Sequence, residues 1–425
     1  CNGQMGPDGP PGHNWPVCNM TCPSAPSVEN VTFHDLYLDG STSYTCYSGC
    51  DKSTAGFREH GAAIYFYQAD QSRPPIRSIT VQRVTSVGFA GDAMDFGGGV
   101  EDLLVEDCFV KDYTRQGVDF AGQFGQGNRP SRNFTARRVR DLPFTPGFEA
   151  GGSTIHVEEA GGLKDVFIED NVCNHSILAS GPSNMVISGN YVEGQILGNG
   201  DTGLVVKNNL VVSKMQLDCN TEKILHTSRV GTSTGQSLSL VAIGFSSDVQ
   251  IVNNTLQHHS NCAPLWRGQT GIELLGGFSS YPLVTNASIT SNRFDFEGAS
   301  VNSTLIALSG CDGVSIGTNN FSRSGGGSTA NHVKQSRCTN CIIHGQGPSP
   351  PPSPPPPPRP SSPTTQPFPR NWAEDLRAWV RSVSQNQQRD GEVRDLLRDL
   401  LRGEREEQEA PVATESPVSD HTRSS

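Results

Sequence analysis

Between Leu163 and Leu210 the chain repeats one arrangement of apolar and polar positions: LKDVFIEDN, SNMVISGNY and TGLVVKNNL. Each copy has two aliphatic residues two positions apart, then two polar positions and an Asn or, in the last copy, a polar residue and a pair of Asn. The second aliphatic residues are Ile168, Ile187 and Val206, a period of 19, and Asn171, Asn190 and Asn209 follow each by three. Residues two apart share one face of a strand, so every copy predicts a short strand with a buried face.

A period near 20 is too short for a propeller blade or a helical hairpin, and fits one turn of a solenoid wound from parallel strands. The same mark recurs along the chain. Its second aliphatic positions are Phe33, Val81, Val105, Ala136, Ile168, Ile187, Val206, Ile251, Ile289, Ile316 and Ile343. The inward partners two residues earlier run from Val31 and Ile79 to Val314 and Cys341. Asn stands three residues after the mark at Asn171, Asn190, Asn209, Asn254, Asn292 and Asn319. Asn tolerates the left-handed backbone of a tight bend, and its amide can bond the neighbouring coils. Such a column is structural and needs no catalytic role. Two intervals, Phe33 to Val81 and Val206 to Ile251, exceed one coil and require either a degenerate turn or a long loop.

Composition agrees with a turn-rich β protein: Gly 46, Pro 29 and 18% charged residues among 425. No run of 18 apolar residues exists, so no transmembrane span is expected. The net charge of −11 argues against non-specific nucleic-acid binding. Twelve cysteines, all before residue 342, point to disulfides in an oxidising compartment, with Cys18/Cys22 and Cys46/Cys50 as staples of the N-terminal end. Cys338-x-x-Cys341 has metal-ligand spacing, but no second pair completes a tetrahedral set. Eight Asn-x-Ser/Thr sequons (Asn19, Asn30, Asn133, Asn174, Asn253, Asn286, Asn302 and Asn320) fit a secreted glycoprotein. The chain begins with Cys, which fits a signal peptide already removed.

Five segments follow. Residues 1–27 form a Cys/Pro/Gly-rich cap, and residues 28–346 the solenoid. Residues 347–370 are a Pro-rich polyproline II linker whose Ser-Pro runs resemble the hydroxyproline-rich segments of plant and green-algal cell-wall proteins. In 371–404, Trp372, Leu376, Trp379, Val380 and Val383, then Val393, Leu396, Leu397, Leu400 and Leu401, lie at helical spacing. They predict an amphipathic helical segment that binds a protein partner, self-associates or docks back on the solenoid. Residues 405–425 have the composition of a disordered tail.

The inward V-x-I strand followed by an Asn-bearing bend resembles the right-handed parallel β-helix of the pectin lyase-like superfamily, over about residues 28 to 346. The resemblance implies an all-β, right-handed parallel β-helix whose substrate groove lies along the strand preceding each V-x-I strand. Those strands are AMDF (93–96), GVDF (117–120) and TIHVEE (154–159). Met94, Val118 and Ile155 face in, so Asp95, Asp119 and His156 face out on successive coils about 4.8 Å apart. Glu158 projects from the same face, whereas the downstream column turns aliphatic at Leu178 and Leu197.

Two carboxylates this close push one pKa up and leave an acid and a base, with His156 as proton shuttle. Arg115 precedes the Asp119 strand, and Arg129, Arg132, Arg137, Arg138 and Arg140 lie on the same coil. They are candidate clamps for a sugar carboxylate, with Arg115, Arg137 and Glu158 as substrate-binding residues. The competing account pairs Arg137 and Arg138 with Glu106, Asp107, Glu169 or Asp170 on adjacent coils. No cofactor motif occurs, and Ca2+ is a candidate ion for such carboxylates. The catalytic signatures of polygalacturonases, pectate lyases and mannuronan epimerases are absent, so the resemblance carries a fold and no residues. Two functions remain open. One is chemistry on an extracellular, acidic polysaccharide, by lysis, hydrolysis or epimerisation. The other is a non-catalytic glycan-binding or structural protein of a cell wall or surface.

Overall fold

The computed structural model describes residues 28–40, 62–68, 72–89, 91–122, 130–144, 152–158, 162–218, 223–227, 238–260, 269–277, 282–296, 304–321 and 332–344. The proposed N-terminal cap, the Pro-rich linker, the helical segment and the tail lie outside these residues. Among the described residues the chain is all strand and bend, and no helix is long and apolar enough to cross a membrane.

The architecture is a parallel β-helix with three faces. The first face stacks Ile64–Tyr67, Met94–Gly97, Val118–Ala121, Ile155–Glu158, Ile177–Ser180 and Ile196–Asn199, and continues through Leu238–Gly244 and Gln269–Leu275. The V-x-I strands make the second face, from Glu29–His34 to Ile342–Ile343. The third face runs from Tyr37–Asp39 to Arg293–Phe296. All these pairings are parallel. The exception is Lys223–Thr227, which folds back antiparallel on Leu210–Asp218.

The second aliphatic positions are in register through the whole stack, Phe33 on Val81, Val81 on Val105, and so on to Ile316 on Ile343. Phe33 pairs directly with Val81 and Val206 with Ile251, so both long intervals are single coils carrying insertions. The inward columns close the core: Ile79, Val105, Val166, Ile187, Ile251 and Ile289 have no exposed surface. In the N-terminal coils an aromatic stack fills the interior, with ring centroids 5.8 Å apart for Phe33–Phe66, 6.2 Å for Phe66–Phe96, 6.3 Å for Phe96–Phe120 and 5.1 Å for Phe120–Phe134.

The Asn column is a buried hydrogen-bond ladder. Asn171 Nδ2 donates to Asn190 Oδ1 at 2.9 Å, Asn190 to Asn209 at 2.9 Å, Asn209 to Asn254 at 3.0 Å, Asn254 to Asn292 at 2.9 Å and Asn292 to Asn319 at 3.1 Å. Each amide also donates to the carbonyl that ends an inward strand, as Asn190 does to Ile168 O at 3.0 Å. The left-handed backbone is not at these residues but one position earlier, at Asp170 (φ 55°), Gly189 (70°), Asn208 (58°), Asn253 (56°) and Ser291 (59°). A second left-handed column precedes every inward pair, from Asn30 (58°) and Ser78 (55°) to Asn286 (50°) and Asn340 (53°). Asn, Asp, Ser and Gly dominate both columns because they meet that backbone at least cost.

The cysteines depart from an all-disulfide arrangement. Cys338 and Cys341 are bonded to each other, so this spacing serves a disulfide and not a metal. Cys108, Cys173 and Cys311 are free and buried, and burial pushes the Cys108 thiol up to about 12 and that of Cys311 up to about 11. Cys108 stands where later coils carry Asn, and its Sγ donates to Val81 O at 3.5 Å, the same type of acceptor the Asn amides use. Cys18, Cys22, Cys46 and Cys50 lie outside the described residues.

Candidate functional site

Parallel register builds the site. Tyr65 pairs with Asp95, Asp95 with Asp119 and Asp119 with His156, which makes one outward column on four successive coils of the first face. Strand alternation turns Met94, Phe96, Val118, Phe120, Ile155 and Val157 inward, all without exposed surface, and so fixes the polar residues outward. Beyond His156 the column continues as Leu178, Leu197 and Ala242. The cluster is therefore local, as the alignment of these strands implies.

Outward does not mean exposed here. Asp95 keeps 5% of its surface and Asp119 2%, whereas the side chains of His156 and Glu158 keep 13% and 25%. Asp119 Oδ1 lies 3.3 Å from His156 Nδ1 and accepts no hydrogen bond. Ligand-type atoms of Asp119, His156 and Glu158 all lie within 4.8 Å of one another. Burial, and then the neighbouring charges of Asp95 and Glu158, raise the Asp119 pKa well above the carboxylate range, against the opposing pull of Arg115. Burial thus favours the protonated form of Asp119.

Two further residues frame this corner. Asp92, with no exposed surface, accepts from the Gln116 backbone N–H at 2.9 Å and from Arg115 Nη1 at 3.1 Å. Burial and the Asp119 charge raise its pKa to about 8 even with Arg115 beside it. Gln116 Nε2 sits 3.1 Å from His156 Nδ1, and the Ser153 N–H donates to Gln116 Oε1 at 3.4 Å. Asp92, Gln116 and Ser153 each stand three residues before a column member, so a side-chain ladder on the bend supports the column. Reading the column three residues upstream is the sequence signal that finds them.

Arg115, Arg132, Arg137 and Arg138 each pair with a carboxylate of the fold itself. Arg115 is nearly buried, and besides Asp92 its Nη2 reaches Glu158 at 3.3 and 3.4 Å. It therefore holds the site's own carboxylates. Arg137 is on the second face, where its Nε donates to Glu106 Oε1 at 2.5 Å. Arg138 pairs with Glu106 and Asp107, and Arg132 with Glu101 at 3.1 Å. These are the lateral pairs that neighbouring coils offer, and Arg129 lies outside the described residues. Ca2+ does not fit the corner. It takes six to eight oxygens, whereas this set offers two carboxylates and a ring nitrogen with a guanidinium against one of the carboxylates.

The aromatic end of the column was not anticipated. Tyr65 is 43% exposed, and its ring stacks on that of Tyr67 with centroids 6.3 Å apart and planes 22° from parallel. The motif IYFY (64–67) has the alternation of MDFG and VDFA and precedes the Ile79-x-Val81 mark as they precede theirs, so it was open to the same alignment.

Among solved structures, the chain is similar to the tailspike protein of E. coli bacteriophage HK620 in complex with pentasaccharide, at 12% identity over 68% of this chain and 52% of that one, with a TM-score of 0.43. It is also similar to the Streptococcus pneumoniae surface protein and adhesin PfbA, at 11% identity over 75% and 89% of the two chains, with a TM-score of 0.42. The chain spans about half the length of the tailspike chains it matches. No family model matches the sequence, and no curated protein does.

Proposed function

We propose that this protein acts on an extracellular polysaccharide at the Asp119–His156–Glu158 corner of its first face, by acid–base cleavage of a glycosidic bond. The observation that carries the reading is the corner itself. A buried carboxyl with a raised pKa lies with a histidine and a second carboxyl inside 4.8 Å, and the latter two reach solvent. Proton transfer needs such groups on one substrate atom and pKa values pushed apart. Exposure redistributes the roles: Glu158 and His156 meet the glycan, Asp119 holds the proton behind them, and Asp95 keeps Asp119 protonated through its charge. Arg115 and Asp92 position Glu158.

Location outside the cell is supported by the sequons and the Ser-Pro-rich linker. Of the described sequon residues, Asn30, Asn133 and Asn286 lie in second-face strands at left-handed positions, Asn253 follows such a strand, Asn174 and Asn320 lie outside these strands, and no first-face strand carries one.

The second reading, a non-catalytic glycan-binding or structural wall protein, is favoured by the burial of Asp95 and Asp119. A screen of neutral and acidic polysaccharides, following new reducing ends and unsaturated uronates together, separates the two. Glu158→Gln and Asp119→Asn should each lower cleavage by about 100-fold or more while retaining glycan binding. Turnover that survives both substitutions would place the chemistry elsewhere, and binding without turnover would establish the second reading.

A further inference from the structure

The corner and the tyrosine pair lie on one continuous column, and together they bear on which glycan fits. Tyr65 stands one rung before Asp95, with Tyr67 two residues along the same strand. Tyr67 lies flat on the next coil, where a Cβ on Gly97 would stand 3.1 Å from its ring and one on Gly98 2.7 Å. Glycine at both positions lets the ring settle against the backbone. Past the corner, the floor continues as Leu178 and Leu197.

Charge supplies the second constraint. The described groups at the corner are Asp92, Asp95, Asp119 and Glu158 against Arg115 and His156, and Arg115 is taken up by Asp92 and Glu158. A uronate or sulfate would bring a negative charge beside the Asp95 and Glu158 carboxylates and push the shifted Asp92 and Asp119 further toward their protonated forms, with the neighbouring Arg132, Arg137 and Arg138 paired on another face. The C–H face of an uncharged pyranose faces no such penalty, and it stacks on the electron-rich face of an aromatic ring.

Resting on the proposed glycan-cleaving site, we infer that its substrate is a neutral polysaccharide, held by a sugar stacked on Tyr65 and Tyr67 at the N-terminal end of the column. The reaction class follows. β-Elimination removes a proton made acidic by an adjacent carboxylate, which a neutral sugar lacks. The bond is therefore broken by water, whose hydroxyl goes to the anomeric carbon and whose remaining proton goes to a carboxylate of the corner, while another proton from the corner goes to the leaving oxygen.

The test is binding to an array of neutral, uronate-bearing and sulfated oligosaccharides, followed by titration calorimetry of the best ligand at low and moderate salt. It uses the full chain as wild type, Tyr65→Ala, Tyr65→Phe and Asp119→Asn. The expected result is a neutral ligand whose affinity is insensitive to salt and survives in Asp119→Asn. Tyr65→Ala should weaken it by about fivefold to tenfold, and Tyr65→Phe should restore it. An acidic ligand at the top of the array, or a Tyr65→Ala chain that binds as wild type, overturns the inference. Neutral binding without any turnover removes the acid–base reading and leaves the tyrosine subsite standing. Absence of binding across the array overturns both.

Discussion

The coils up to Glu158 and those from Leu163 onward share one winding and are held by different means. From Asn171 to Asn319 a buried amide ladder joins each coil to the next, and the outward column of the first face is plain at Leu178, Leu197 and Ala242. In the earlier coils the ladder position is Val84, Cys108 and Val139, and the outward column is Tyr65, Asp95, Asp119 and His156. There the aromatic stack and the ion pairs Arg77–Glu101–Arg132 and Glu106–Arg137 do the joining. Where repeated local hydrogen bonds secure the coil, the column stays aliphatic to Ala242 and then carries scattered polar residues, Glu273, which accepts from Ser239 Oγ at 2.6 Å, and Lys334. Where polar groups are concentrated on the face, the interior is secured by large apolar side chains. A buried cluster of acids is costly to fold around, and it sits where the phenylalanines compensate.

The largest effect should come from breaking that compensation. Phe120 has no exposed surface and contacts both Phe96 and Phe134. Phe120→Ala should cost about 3–5 kcal/mol through lost burial and the cavity left behind. Measured by thermal or denaturant unfolding, this loss should exceed that of any ladder substitution. A ladder substitution that costs more would mean the stack is not what holds the early coils.

In the later coils the corresponding change is Asn190→Ala. It leaves Asn171 N and Nδ2, both donating to Asn190 Oδ1 at 2.9 Å, without their acceptor, and strips a donor from Ile168 O. Buried groups left unsatisfied cost about 1–3 kcal/mol each, so a loss of about 3 kcal/mol is expected in the same unfolding measurement. A loss below about 1 kcal/mol would show that water enters the ladder and replaces the amide.

The polar corner should show itself in the pH dependence. Asp92 is raised to about 8, and Asp119 shifts in the same direction. Folded chains then hold protons that unfolded chains have shed, so stability is greatest below about pH 4 for these groups and falls as pH rises to about 8. Asp92→Asn should flatten that fall, raising Tm by a few degrees at alkaline pH and little at acid pH. Parallel Tm curves for the two chains across this window would show that Asp92 is ionised and held by Arg115.

How much of this was readable in the sequence depends on repetition. The inward columns recur eleven times, so Phe33 could be aligned with Val81 across an insertion that hides the coil. Asp95, Asp119 and His156 followed, because alternation ties an outward residue to inward neighbours on both sides. Their burial did not follow, since periodicity gives the side of a strand and not what covers it. The partners of the arginines did not follow either: Arg137 lies on a second-face strand, whereas Arg115 reaches Glu158 of the first face. The cysteine count led to the disulfide of Cys338 and Cys341 but could not tell that a thiol can also serve as a buried apolar residue with a weak hydrogen bond, as Cys108 does.

The smallest effect is the sharpest test of the contrast between the two regions. Val139 occupies the rung before Asn171, is fully buried, and its N–H donates to Asn171 Oδ1 at 2.8 Å. Asn190 Oδ1 accepts both the N–H and the amide of the rung before it, so Asn171 Oδ1 has room for one more donor. In Val139→Asn the new amide would donate to Asn171 and to the carbonyl of Val105, and its oxygen would accept the Cys108 N–H. Every polar atom then finds a partner, and stability should change by less than about 1 kcal/mol. Val166→Asn buries the same group on an inward strand without a ladder, and should cost about 3 kcal/mol or more. If unfolding shows equal losses for the two, the early coils are too differently wound to take an amide rung. If Val139→Asn is neutral, the ladder stops at Asn171 because apolar packing already satisfies the earlier coils, and not because their geometry excludes it.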